Sequence, residues 1–198
     1  MNRGRKWAGT LPAALLLVVA SLAPASSTRN QNAKDPNPAR EYFTDTILID
    51  QDARPHRFYS DLIAGRTVII NIIFTGCRSS CPIIMGQLAE LQDLLGSQRS
   101  NVSILSISVD PVMDTPRALR AYADEFKAGP GWYFLTGSKD AVDTVLRRIG
   151  NRSSSPEDHN DAIVIGNDAT GTWIKLTAIA TTEDIARAVA EVAGKPTN

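Results

Sequence analysis

Cys77 and Cys81 are the two cysteines of this 198-residue chain, and three residues separate them. A thiolate is both a nucleophile and a soft metal donor. A pair this close can therefore form a disulfide, exchange one with a partner, or hold a soft ion such as Cu(I). In an oxidising compartment a plain disulfide is the simplest reading. Closing so short a loop, however, restricts the unfolded chain by only roughly 2 kcal/mol. Cysteines placed for stability join distant segments, so this pair reads as local and chemical. A thioredoxin-type redox dithiol has the spacing C-x-x-C. Here Arg78, Ser79 and Ser80 intervene. The extra residue widens the bite between the sulfurs and lets both face one ion, which tilts the pair toward a metal. Two thiolates leave a coordination position open, and the chain has two histidines, His56 and His159.

The surrounding patterns say what positions these groups. Thr67 to Phe74 (TVIINIIF) is β-branched and almost wholly apolar, as expected of a central strand buried on both faces. The cysteines follow it directly. Apolar residues then recur at helical spacing from Ile83 through Leu95, and Gly96 can end that helix. Cys77 therefore falls in a loop and Cys81 near a helix start, where backbone N–H groups favour anions and lower thiol pKa values. Arg78 adds positive charge nearby.

Further along, Val102 to Val109 reads as a second buried strand, Trp132 to Leu135 as a short one, and Thr46 to Asp50 as an edge strand or hairpin arm. Ser60-Asp61-Leu62 reads as a turn. Helices are expected after Thr115-Pro116, after Ser138, and after Thr181-Thr182-Glu183-Asp184, which resembles a capping box. Ala162 to Ile165 and Thr172 to Ile179 flank a turn ending in Gly171, a hairpin signature. Asp110 and Asp114 read chiefly as loop-shaping and capping residues. This order of elements predicts an α/β, thioredoxin-like fold: a central mixed β-sheet flanked by helices. In such sheets ligands sit at the carboxyl ends of the strands, which is where the cysteines fall. The polar loop 151–160, carrying His159, faces that end in a thioredoxin-like fold. His56 reads as an ordinary histidine.

Composition excludes little but excludes it clearly. Basic and acidic residues number 21 each, so nothing supports nucleic-acid binding. Arg3, Arg5, Lys6, Arg29 and Lys34 all precede the first acid, Asp35, and Leu11 to Ala23 is uncharged and apolar. With Ala23-Pro24-Ala25 behind it, this start reads as a secretory signal peptide over residues 1–25. The rivals are an uncleaved N-terminal anchor and a mitochondrial presequence. Cleavage would leave 18 basic against 21 acidic side chains, a mildly acidic protein. Residues 26–44 read as a flexible linker and 45–195 as the folded domain.

The run Phe74-Thr75-Gly76-Cys77-Arg78-Ser79-Ser80-Cys81-Pro82 resembles the copper motif of the Sco/SenC/PrrC proteins. Ser106-Ile107-Ser108-Val109-Asp110-Pro111 with Asp114-Thr115-Pro116 resembles that family's S-V-D-P-x-x-D-T-P segment. Trp132, Leu135-Thr136-Gly137, Asp158-His159 and Gly166-Asn167-Asp168 match as well. The resemblance implies a thioredoxin-fold protein outside the cytoplasm, in a bacterial periplasm, soluble or tethered to the inner membrane. It implies one copper ion, as Cu(I) or Cu(II), held by Cys77, Cys81 and His159. It also implies a metallochaperone that delivers copper, or reduces cysteines, during assembly of the copper centre of cytochrome c oxidase; this leans away from an enzyme, although some members act as thiol-disulfide reductases. The partners would be a copper donor and a copper-accepting oxidase subunit or related chaperone, with membrane contact only if the N-terminus stays uncleaved. Asp158 is either a carboxylate that orients His159 or a solvated loop acid.

The chain departs from the family in two places. Arg78-Ser79-Ser80 replaces the usual proline, acid or amide, and valine or isoleucine. Asn160-Asp161 follows His159 where serine or threonine is common. The alternative function is a thiol-disulfide oxidoreductase, with Cys77 as the attacking thiolate and Cys81 as the resolving one. A peroxidase is disfavoured because peroxiredoxins carry T-x-x-C and this chain has Thr75-Gly76-Cys77. A structural zinc site would want four ligands.

Overall fold

A computed structural model of the chain describes Met1 and residues 38–151, 155–158 and 161–194. Five strands form one sheet in the order β5-β4-β3-β6-β7. Strands β3 (Thr67–Ile73), β4 (Val102–Ser108) and β5 (Trp132–Leu135) run parallel. Strands β6 (Ile163–Asn167) and β7 (Thr172–Leu176) form a hairpin, and β6 lies antiparallel to β3. A small separate ladder pairs β1 (Ile47–Ile49) with β2 (Pro55–Arg57).

Every residue of β3 and β4 is buried, because helices cover both faces of the sheet. Alternate side chains divide between two cores. Ile69 and Ile73 pack with α3 (Ser80–Leu95), α4 (Pro116–Glu125) and α6 (Thr182–Val192). Val68, Ile70 and Ile72 pack with α1 (Pro38–Phe43), α2 (Phe58–Leu62) and α5 (Lys139–Arg148). This two-sided burial is why the strands read as near-continuous apolar runs.

One polar residue interrupts β3. Asn71 pairs in register with Ser106 of β4, whose hydroxyl donates to Asn71 Oδ1 at 2.8 Å. The Trp132 indole N–H donates in turn to Ser106 at 2.9 Å. A one-residue slip of any strand would leave these buried groups unpaired, so the chain of bonds fixes the register of β3, β4 and β5. On the other side of β3, Gly166 of β6 is required by Trp173. A Cβ there would lie 1.9 Å from the indole ring.

Thr115, Ser138 and Thr181 cap α4, α5 and α6 through their hydroxyls, and Thr181 with Asp184 completes the capping box. Two sequence expectations are corrected. The linker expected over 26–44 is helical from Pro38, because Phe43 inserts into the core against Phe58 and Trp173. Ser60-Asp61-Leu62 belongs to α2 rather than a turn, since Phe58, Tyr59 and Leu62 anchor one helical turn in the same core. Ile83 and Leu94 fall on the solvent side of α3, outside the buried stripe of Ile84, Met85, Leu88 and Leu91.

Candidate metal centre

The site stands at the carboxyl end of β3. After Ile73 the chain turns through Phe74, Thr75 and Gly76, and the Cys77 N–H donates to the Phe74 carbonyl at 3.1 Å. Helix α3 starts three residues later and holds Cys81 as its second residue. The thiols are reduced and buried, Cys77 at 6% exposure and Cys81 at 1%. They are hydrogen-bonded to each other.

The start of α3 makes the two sulfurs unequal. Burial would raise the Cys77 thiol. Hydrogen bonds from the Cys81 thiol, the Ser79 and Cys81 N–H groups and the Ser79 hydroxyl overcome this and bring it below the ordinary thiol range. Ser79 is the N-cap residue of α3, yet its hydroxyl makes no capping bond and lies 3.6 Å from Cys77 Sγ. Arg78 is exposed, and the lowering of Cys77 comes from these hydrogen bonds. Cys81 goes the other way. Burial, its hydrogen bond with Cys77 and the negative charges of Cys77 and Asp161 push it up to about 12. The expectation that the helix start lowers both thiols therefore holds for Cys77 and fails for Cys81, where burial wins.

The loop that carries Cys77 is locked from behind by Asp114, which is 1% exposed. Its carboxylate accepts from the Thr75 hydroxyl and the Ser108 hydroxyl at 2.6 Å each, and from the Thr75 N–H at 3.2 Å. Ser108 accepts in turn from the Asp110 N–H at 3.0 Å. One buried acid thus ties together the ends of β3 and β4 and the approach to α4. The Tyr122 hydroxyl of α4 is enclosed without a hydrogen-bond partner among the described residues. Burial and the charges of Cys81 and Cys77 hold that phenol well above its ordinary range.

The histidines separate clearly. His56 Nε2 lies 2.8 Å from Asp50 Oδ2, and its ring packs edge-on against Tyr133. Asp50 also accepts from the Asp52 and Arg54 N–H groups. His56 is therefore a brace of the β1–β2 hairpin, as its ordinary reading requires. His159 lies outside the described residues, and Asp158, exposed, closes a short 3-10 turn just before it. Among the described residues no three His, Cys, Asp or Glu side chains converge on one metal position. Beyond His159, Asp161 accepts a hydrogen bond from the Ser80 hydroxyl at 2.9 Å. Both segments depart from the pattern of the family that the sequence resembles, and no local pattern connects them.

Residues 34–193 match the family model described as SCO1/SenC. The chain belongs to the SCO1/SenC family. Among curated relatives, the SCO1 protein homolog of Bacillus subtilis is 34% identical over 109 residues, which is 54% of each chain. This chain spans about half the length of the curated relatives it matches. A SCO1/SenC family lipoprotein from Bacillus anthracis superposes with a TM-score of 0.65 at 26% identity, over 74% of this chain and 92% of that one. Yeast Sco1 with copper bound superposes with a TM-score of 0.64 at 21% identity, over 77% of this chain and 92% of that one. The SCO1/SenC relatives share the thioredoxin-like sheet and its flanking helices. Among the described residues, no helix is long and apolar enough to cross a membrane.

Proposed function

We propose that this SCO1/SenC protein binds one copper ion through Cys77, Cys81 and His159 outside the cytoplasm, and passes it on during assembly of the cytochrome c oxidase copper centre. The observation that carries the reading is the pair of buried, hydrogen-bonded thiols at the junction of β3 and α3. Two hydrogen-bonded thiols, one with its pKa lowered, form a donor set that suits Cu(I). His159 would supply the third donor from the loop that precedes β6. The sulfurs are nearly enclosed, which keeps water and oxidants from a bound ion. A copper donor and an oxidase subunit or related chaperone are the partners this reading names. Residues 1–25 would export the chain as a cleaved signal or hold it to the membrane as an anchor.

Copper loading must displace protons. Cys81, pushed up to about 12, keeps its proton throughout the neutral range, and the ion can bind only by removing it. Because lowering the proton concentration favours that exchange, Cu(I) affinity should rise with pH. Competition titrations of reduced protein between pH 6 and 8 should show about a tenfold gain per pH unit for each proton released. An affinity that stays flat across this range would contradict a site built on the Cys81 thiol.

The unequal thiols also favour a second activity. In a thiol-disulfide exchange Cys77, as thiolate, would attack one sulfur of a partner disulfide and expel the other. Cys81 would then displace the partner and leave the Cys77–Cys81 disulfide, two electrons having passed to the partner. With limiting iodoacetamide at pH 7, Cys77 should be alkylated well before Cys81. Equal labelling, or Cys81 first, would remove Cys77 from the role of attacking thiol.

A further inference from the structure

Tyr122 lies on the buried face of α4 with Leu119 and Ala123, and only 7% of it is exposed. Phe126 and Phe134 hold its ring edge-on, at centroid distances of 5.1 and 6.2 Å. It shares one core with Ile73 at the end of β3 and with Ile84 and Met85 of α3. Those two residues stand three and four positions beyond Cys81, so Cys81 continues the same helix face toward the carboxyl end of β3. Burial acts most strongly on the phenol, and among nearby charges those of Cys81 and Cys77 act more than those of Glu125 and Asp114. Yet the Tyr122 hydroxyl, fully enclosed, has no hydrogen-bond partner among the described residues.

A buried hydroxyl without a partner costs stability, and phenylalanine would fill nearly the same space without that cost. Packing therefore accounts for the ring but not for its oxygen. The protonation of the neighbouring sulfur supplies a reason. In the reduced protein the Cys81 thiol donates to Cys77, and a neutral sulfur is a weak acceptor. A copper-bound Cys81 is a thiolate, and a charged acceptor makes the stronger hydrogen bond.

We propose that the Tyr122 hydroxyl is kept for the metal-loaded state: when copper takes Cys81 as a thiolate ligand, the phenol donates to that sulfur, which makes Tyr122 a positioning residue of the copper site. The proposal rests on the copper reading above, through its Cys81 ligand alone. Such an outer hydrogen bond orients the ligand and offsets its negative charge in a place closed to water.

Tyr122→Phe removes the donor and keeps the ring. In anaerobic competition titrations of the reduced, full-length protein it should weaken Cu(I) binding about 10–100-fold, the usual result of losing a hydrogen bond to a metal ligand. The copper-free variant should melt no lower than wild type, because the group removed has no partner there. In Cu(II)-loaded protein the sulfur-to-copper charge-transfer band should move to longer wavelength, since a hydrogen bond lowers the energy of the sulfur electrons. In a Cys81→Ala background Tyr122→Phe should cause no further loss of affinity. Wild-type affinity in Tyr122→Phe, an unmoved band, or a full loss in the Cys81→Ala background would overturn the role of Tyr122 alone. So would a copper-free Tm lowered by more than about 4 °C, which would mean that the hydroxyl already has a partner. A wild-type protein that takes up no copper would overturn the copper reading and the role of Tyr122 with it.

Discussion

Cys81→Ser is expected to weaken Cu(I) binding by about 10²–10³-fold while leaving the fold intact. A structural site with four thiolate or imidazole ligands is worth about 10–16 kcal/mol, so a single ligand carries on the order of 3–4 kcal/mol. The hydroxyl of serine stays protonated and is a hard donor, so it does not replace the sulfur. The same substitution at Cys77 should have a comparable effect on copper and a larger one on thiol exchange, since Cys77 is the sulfur whose pKa is lowered. Serine is slightly smaller than cysteine, and the loss of one sulfur at a buried helix position should cost about 1–2 kcal/mol. Competition with a Cu(I) chelator reads the affinity, and a thermal melt shows that the variant is folded. Binding within threefold of wild type would mean that Cys81 is no ligand.

Asp114→Ala should be the most destabilising single change around the site, at about 3 kcal/mol. It leaves the Thr75 hydroxyl and N–H and the Ser108 hydroxyl without their acceptor in a place closed to water. Hydrogen bonds to a charged acceptor are worth about 1.5–3 kcal/mol each, and partial rearrangement recovers some of the loss. For a chain of this size the change corresponds to a fall of about 6–12 °C in Tm. Asp114→Asn keeps the shape and one acceptor but turns an NH2 group toward other donors, so it should lose roughly half as much. Copper affinity should fall as well, because Thr75 is two residues from Cys77. A Tm within 2 °C of wild type for Asp114→Ala would show that the loop does not depend on this carboxylate.

Much of this arrangement was legible in the sequence, for identifiable reasons. Strands β3 and β4 announce themselves because burial on both faces admits few polar residues. Thr115, Ser138 and Thr181 mark helix starts because capping is a local interaction within four residues. The place of Cys77 and Cys81 after β3 follows from those two signals together. Other features depend on contacts that no local pattern reveals. Helices α1 and α2 have five or six residues each, and what holds them is the packing of Phe43 and Phe58 on distant residues. Asn71 reads as an interruption in an apolar run until Ser106 and Trp132 are seen beside it. The contrast between Cys77 and Cys81 requires knowing how deeply each is buried. The Ser80–Asp161 bond joins two segments that the sequence marks only as unusual.

The central claim is that the two thiols and His159 together hold one copper ion. Anaerobic Cu(I) titration of the fully reduced protein, run beside His159→Ala, tests it most directly. The account predicts a sharp end point at one copper per chain for the wild type, with weaker binding at the same stoichiometry when His159 is lost. Wild-type protein that shows no tight end point, or His159→Ala that binds as well as wild type, would contradict it.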